Sequence, residues 1–184
     1  DLFKKKWFEL ADKGFEFRLD FVVYALLAVM YQSGDEMKKL HGAENKEKIK
    51  NAWEILDKYV FDYVINILRS KGLVDHTDEI NSYYALIPII VYYFRKFEKG
   101  DKNFSNDEIN KILRWFYYSQ IRNRYISQLP QKLTKDSKIA WESSNPFDDL
   151  LALIEEERSL KITENEFEGR NVSHPLFKLC IFYF

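Results

Sequence analysis

The chain has 184 residues, of which 46% are hydrophobic, 31% charged and 17% aromatic, a balance that excludes disorder and fits one ordinary domain with a large core. A net charge of −1 names no partner, and the single cysteine, Cys180, excludes an intrachain disulfide and suits a reducing cytoplasm. The longest apolar runs, residues 21–31 and 83–94, fall short of the roughly 18–20 residues a membrane span needs, so no span is expected. With 6 Gly and 4 Pro, long helices are favoured over a sheet with tight turns. The apolar spacing predicts a short helix over residues 2–12, stopped by Gly14. Asp20 is expected to cap a second helix, about 21–32, apolar nearly all round and therefore central, with Gly34 ending it. One turn over 37–40 follows. A long helix then spans about 43–70, with Ile49, Trp53, Leu56, Val60, Tyr63, Val64, Ile67 and Leu68 on its buried stripe. Gly72 stands where a left-handed cap belongs.

After a polar loop over 73–81, a helix is predicted over 82–99, with Pro88 imposing a kink or a late start. Gly100 ends it, and residues 100–104 form a minor boundary. Ser105 and Glu108 make an S-x-x-E capping box that opens a helix to about Asn123, with Ile109, Ile112, Leu113, Phe116 and Tyr117 inward. Helices are expected over 133–142 and, with Pro146 in the first position after Asn145, over about 146–159. Thr163 and Glu166 indicate a short turn, and Ser173 and Pro175 open a last helix. The fold class is all-α: one irregular domain over 1–184 with about seven to nine helices. The chain starts without Met and stops inside the apolar run LFKLCIFYF (176–184), which reads as a piece of a longer protein able to self-associate through that run.

No catalytic motif stands out. His41, His76 and His174 are far apart, no Cys-x-x-Cys or His-x-x-x-His spacing occurs, and the glycines are scattered singly. No metal and no cofactor are therefore expected. His174 reads as a helix-start cap, Cys180 as a buried small hydrophobe, Glu155, Glu156 and Glu157 as a solvated face, and the four tryptophans as core.

Charge is unevenly distributed. Residues 95–138 hold 11 Lys/Arg and 5 Asp/Glu, a net of +6, whereas residues 139–184 hold 4 and 9, a net of −5. Within the basic segment, Arg114, Arg122, Arg124, Lys132, Lys135 and Lys138 are interleaved with Trp115, Tyr117, Tyr118 and Tyr125. Cations with aromatics grip phosphates and stacked bases, so Arg114, Arg122, Arg124, Lys132 and Lys135 are the candidate nucleic-acid ligands. Arg122 and Arg124 lie about 200° apart on an unbroken helix. At most one of them then reaches DNA while the other pairs with an acid, unless the helix ends near Asn123.

Several segments resemble a known family. FEFRLDFVVYALL (15–27) is similar to the "F-x-x-D-F-L-L-R-A-L" opening of the helical region in the prokaryotic family named for the GmrS and GmrD restriction subunits. AWEILDKYVFDYVINIL (52–68) continues the likeness, and SYYALIPIIVYYF (82–94) resembles the family's "Y-N-A-L-I-P-L-x-Y-Y" helix. ILRWFYYSQIRNRYISQLPQKLTKD (112–136) and HPLFKL (174–179) resemble later segments, the last leading toward a nuclease module. In that family a ParB-like nucleotide-handling module precedes the helical region and an HNH-type nuclease module often follows. The motifs of both modules are absent here, so no family catalytic residue carries over to this chain. The resemblance implies a non-catalytic scaffold and DNA-facing segment of a phage-defence endonuclease that cleaves modified DNA. Its implied partners are duplex DNA and the adjoining nuclease and nucleotide-handling modules. A helical adaptor that docks proteins and never touches nucleic acid is the second reading.

Overall fold

The computed structural model describes residues 2–183. It is 72% helical with no strand, and eight helices form one compact domain, as the apolar spacing predicts. They are α1 (Leu2–Asp12), α2 (Leu19–Tyr31), α3 (46–72), α4 (Leu86–Glu98), α5 (Asn106–Ile121), α6 (Leu129–Glu142), α7 (Pro146–Glu157) and α8 (Pro175–Tyr183). Among the described residues, no helix is long and apolar enough to cross a membrane.

Helix α4 is central and packs against α2, α3 and α6, while α5 packs against α3, α7 and α8. One continuous apolar cluster runs from Leu10 to Leu179. Residues 100–104 do not interrupt it. Phe104 enters the core with its ring 5.3 Å from that of Tyr63 and 5.6 Å from that of Tyr92, and its N–H donates to the Tyr63 hydroxyl at 2.7 Å.

The start of α5 sits where capping chemistry puts it. Ser105 Oγ accepts from the Glu108 N–H at 3.2 Å, and Glu108 Oε2 accepts from the Ser105 N–H at 2.7 Å. Pro88 gives a late start: a 3₁₀ turn, Tyr83–Ala85, precedes α4. Helix α2 starts one residue before Asp20, which lies in the first turn and accepts from the Tyr84 hydroxyl at 3.1 Å. Its end is made by Gln32, at φ 49°, rather than by Gly34. Gly34 has another role, since a Cβ there would come within 2.8 Å of Leu133 Cβ on α6.

Gly72 also departs from expectation. It is the last residue of α3, and Leu73 takes the left-handed conformation at φ 55°. Gly72 is buried against α5, where a Cβ would lie 3.1 Å from Leu113 Cδ2 and its carbonyl accepts from the Tyr117 hydroxyl. Close approach of two helices, not cap geometry, selects glycine here.

The sequence pattern also misses a π-helical segment, Leu56–Val60, inside α3. Asp57 and Asp62, five residues apart, would point about 140° apart on an α-helix. The π turn bonds i to i+5 and brings them toward one side. Both meet Lys6 of α1, each at 3.3 Å. Lys6 is 4% exposed. Burial lowers its pKa, but the Asp62 and Asp57 charges outweigh that and hold it above its ordinary value.

Candidate nucleic-acid interface

The basic segment comprises the last turn of α4, α5, the turn after it and most of α6. Helix α5 ends at Ile121, so the constraint of an unbroken helix lapses just before Arg122. Arg122 has a non-helical backbone, and Asn123 turns left-handed at φ 52°. Both arginines then swing inward, and both pair with acids.

Arg124 is 3% exposed. Its Nε and Nη2 donate to the two oxygens of Asp136 at 3.1 and 2.8 Å, a bidentate fork, and its Nη1 donates to Glu157. Asp136, fully buried on α6, also accepts from the Tyr125 hydroxyl at 2.6 Å. Burial and the neighbouring Asp136 charge raise the Tyr125 phenol well above its ordinary range. Arg124 itself is held above its usual value: burial opposes its charge, and the bonds to Asp136 more than offset that. This cluster locks the turn after α5 onto α6 and α7.

Arg122 reaches the segment after α7. Its Nε donates to the Ser159 carbonyl at 2.7 Å, its Nη2 to the Lys161 carbonyl at 2.8 Å, and its Nη1 to Glu166. Glu166 is held below the usual carboxylate range chiefly by that arginine. Lys132 is half-buried and pairs with Glu157 at 3.3 Å. Glu157, read from the sequence as part of a solvated face, is thus a shared acceptor for two cations.

Three other cations of the segment are held in the same way. Lys111 pairs with Asp148 of α7 at 2.9 Å. Arg95 donates to the Trp141 and Ser143 carbonyls, closing the end of α6. Lys96 pairs with Asp101 and Glu108, each at 2.6 Å.

Of the five candidate ligands, only Arg114 and Lys135 are exposed, joined by Lys138; Arg114 has contacts of its own. The structure therefore divides the candidates. Arg122, Arg124 and Lys132 brace the acidic segment, while Arg114 on α5 and Lys135 on α6 face solvent. The signal that could have found this is the charge arithmetic itself, because a +6 segment followed by a −5 segment can be its own partner.

His174 is a cap, as read. Its Nδ1 accepts from the Leu176 N–H at 3.2 Å at the start of α8, and Arg170 Nη1 lies 2.9 Å from Nε2. Burial and Arg170 both lower its pKa. Cys180 is half-buried rather than buried, because α8 turns only one face to the core. Trp53 and Trp115 are core residues, while Trp7 and Trp141 are half-buried at its edge. Among the described residues, no cluster of three His, Cys, Asp or Glu side chains could hold a metal ion. Compared with family models, curated proteins and solved structures, the chain matches none of them.

Proposed function

We propose that this chain is a non-catalytic helical scaffold of a GmrSD-type prokaryotic restriction endonuclease, an enzyme that cleaves modified foreign DNA. The scaffold part rests on one observation: five cations of residues 95–138, Arg95, Lys111, Arg122, Arg124 and Lys132, bond to carboxylates or carbonyls of residues 139–184. Lys111 with Asp148, Arg122 with Glu166, and Arg124 and Lys132 with Glu157 join the two segments. Such pairing holds the two segments together as one body. The restriction setting comes from the resemblance of residues 15–27, 52–68 and 82–94, whose counterparts in this chain are α2, α3 and α4 with their approaches. As a scaffold, the chain would space a nucleotide-handling module from a nuclease module.

The DNA-facing part of the proposal falls to Arg114 and Lys135, with Lys138. Three phosphate contacts give weak binding without sequence preference, which falls steeply with salt through counterion release. Fluorescence anisotropy with a labelled duplex tests this. The expected result is a slope of log affinity against log salt that drops by about three in the Arg114→Glu, Lys135→Glu, Lys138→Glu triple variant. Binding unchanged in that variant, or no salt-sensitive binding at all, favours the protein-docking adaptor. Cleavage or nucleotide hydrolysis by the purified chain would overturn the scaffold reading.

A further inference from the structure

A groove of about 400 Å³ opens between α2, α3 and the ends of α4 and α6. That size lies within the range of small-molecule sites, which are apolar concavities with a few placed polar groups. Met30, Tyr31, Ile55, Phe94 and Trp141 are the larger apolar side chains of its wall, which Asn51 and Lys48 also line. Three of these are aromatic, and Phe94 and Trp141 stand 6.5 Å apart between ring centroids.

Glu98 borders the same groove. Among the described residues, its carboxylate has neither a hydrogen bond nor an ion pair. It is the last residue of α4, at the negative end of that helix's dipole, where a cation is favoured and a carboxylate is not. The cations of the same turn are turned away: Arg95 to the end of α6, and Lys96 to Asp101 and Glu108. Lys48, exposed on α3, also borders the groove but makes no ion pair with Glu98. Glu98 is exposed, yet desolvation by its surroundings raises its carboxyl, with no cation of the chain pulling it back.

We propose that this groove binds a small organic ammonium ion with an aromatic body, its cation against Glu98 and its ring among Tyr31, Phe94 and Trp141. Aromatic faces attract cations, most strongly that of tryptophan, and an organic ammonium sheds its water more readily than a metal ion. A lone carboxylate among apolar walls lacks the six to eight oxygens that a hard metal ion takes. The groove's lining does not include Arg114, Lys135 or Lys138, and the site goes beyond the scaffold reading.

The test is titration of the ¹⁵N-labelled chain with phenethylammonium, its neutral counterpart 2-phenylethanol, and phenylacetate. The indole N–H signal of Trp141, assigned with Trp141→Phe, is the local probe. Phenethylammonium should shift it saturably and bind at least about fivefold tighter than the alcohol, with phenylacetate weakest. Glu98→Gln, an exposed substitution, should abolish the preference for the amine and leave alcohol binding unchanged. Met30→Trp, which fills the groove without touching charge, should remove both. Equal affinity for amine and alcohol, a preference that survives Glu98→Gln, or no saturable shift at Trp141 would overturn the proposal. Tighter binding of an acetylated Gly-Lys-Gly amide than of phenethylammonium would overturn the small-molecule assignment in favour of a protein lysine.

Discussion

Two carboxylates, buried Asp136 and half-buried Glu108, show how single residues hold this fold. Asp136 is fully buried and takes three hydrogen bonds, two from Arg124 and one from Tyr125. Removing one partner of such a pair strands the other charge without water. Asp136→Ala should therefore destabilise by about 3–5 kcal/mol in urea denaturation. Glu157→Gln, in which the lost carboxylate is half-exposed, should cost under about 1 kcal/mol. Similar costs for the two would mean that Arg124 relaxes to solvent when Asp136 is lost. Glu108 gives the pH dependence. Burial would raise its carboxyl, but Lys96, Tyr92 and the Ser105 cap together hold it at about 2. A depressed folded pKa contributes stability that is present above the unfolded value, roughly 4.3, and lost as pH falls toward 2. Glu108→Gln should lower stability at pH 7 by about 1–3 kcal/mol and flatten the fall in Tm between about pH 5 and 2. Asp62, Glu79, Glu157 and Glu166 are also held low, so the variant should keep part of its acid sensitivity. An unchanged Tm profile would mean that Glu108 is not held low by its partners.

At the scale of elements, the sequence reveals what repeats and hides what is singular. The stripe of α3, the Ser105–Glu108 box and the late start at Pro88 are legible because periodicity and capping are local. Gly72 is misread because its reason lies across the molecule in Leu113 and Tyr117, and the left-handed residue moves to Leu73. The π segment has no composition of its own, so no window reveals it, although the pairing of Asp57 and Asp62 with Lys6 depends on it. Its effect on register is testable. Deleting Tyr59, about half exposed, should turn the segment into α-helix and rotate residues 46–58 by about 100° against the rest of α3. Trp53, Leu56 and Asp57 would then leave their positions against α1 and α2. The deletion should cost at least about 3 kcal/mol, against about 1 kcal/mol for Tyr59→Ala. Equal costs in chemical denaturation would mean that helix register is not set by the bulge. The candidate interface was legible only in outline. The basic segment is plain in the sequence, but which arginines face water is decided by the break at Ile121 and by acids 12–44 residues away.

On the scale of the whole molecule, the chain closes on itself twice, once through opposite charge and once through α8. The apolar run 176–184 carries an expectation of self-association. Phe184 and the side chains of Phe182 and Tyr183 lie outside the described residues, but the first turns of α8 are placed. Leu176 and Leu179 are buried against the core, Lys178 donates to the Leu73 carbonyl at 2.5 Å and to Glu79 at 2.9 Å, and Ile181 faces solvent. Lys178 thus satisfies the strained turn at Leu73 and pins α8 to the loop that follows α3. Its bond also helps hold the Glu79 carboxyl low, against the effect of burial. Docking covers the face of α5 that packs on α8, so association should be governed by whether α8 stays down. Leu179→Asp puts a charge into a fully buried site, and Lys178→Ala removes the anchor. Together they should release α8 and uncover apolar surface on both α5 and the helix. Monomeric soluble proteins rarely expose more than a few hundred Å² of contiguous apolar surface. Light scattering coupled to size exclusion should then find dimers or larger species in the double variant at concentrations where Ile181→Ser, altering only the outward face, leaves the state of the parent chain unchanged. If Ile181→Ser instead dissolves an existing dimer of the parent chain, the outward face of α8 is itself the contact, and self-association does not require its release.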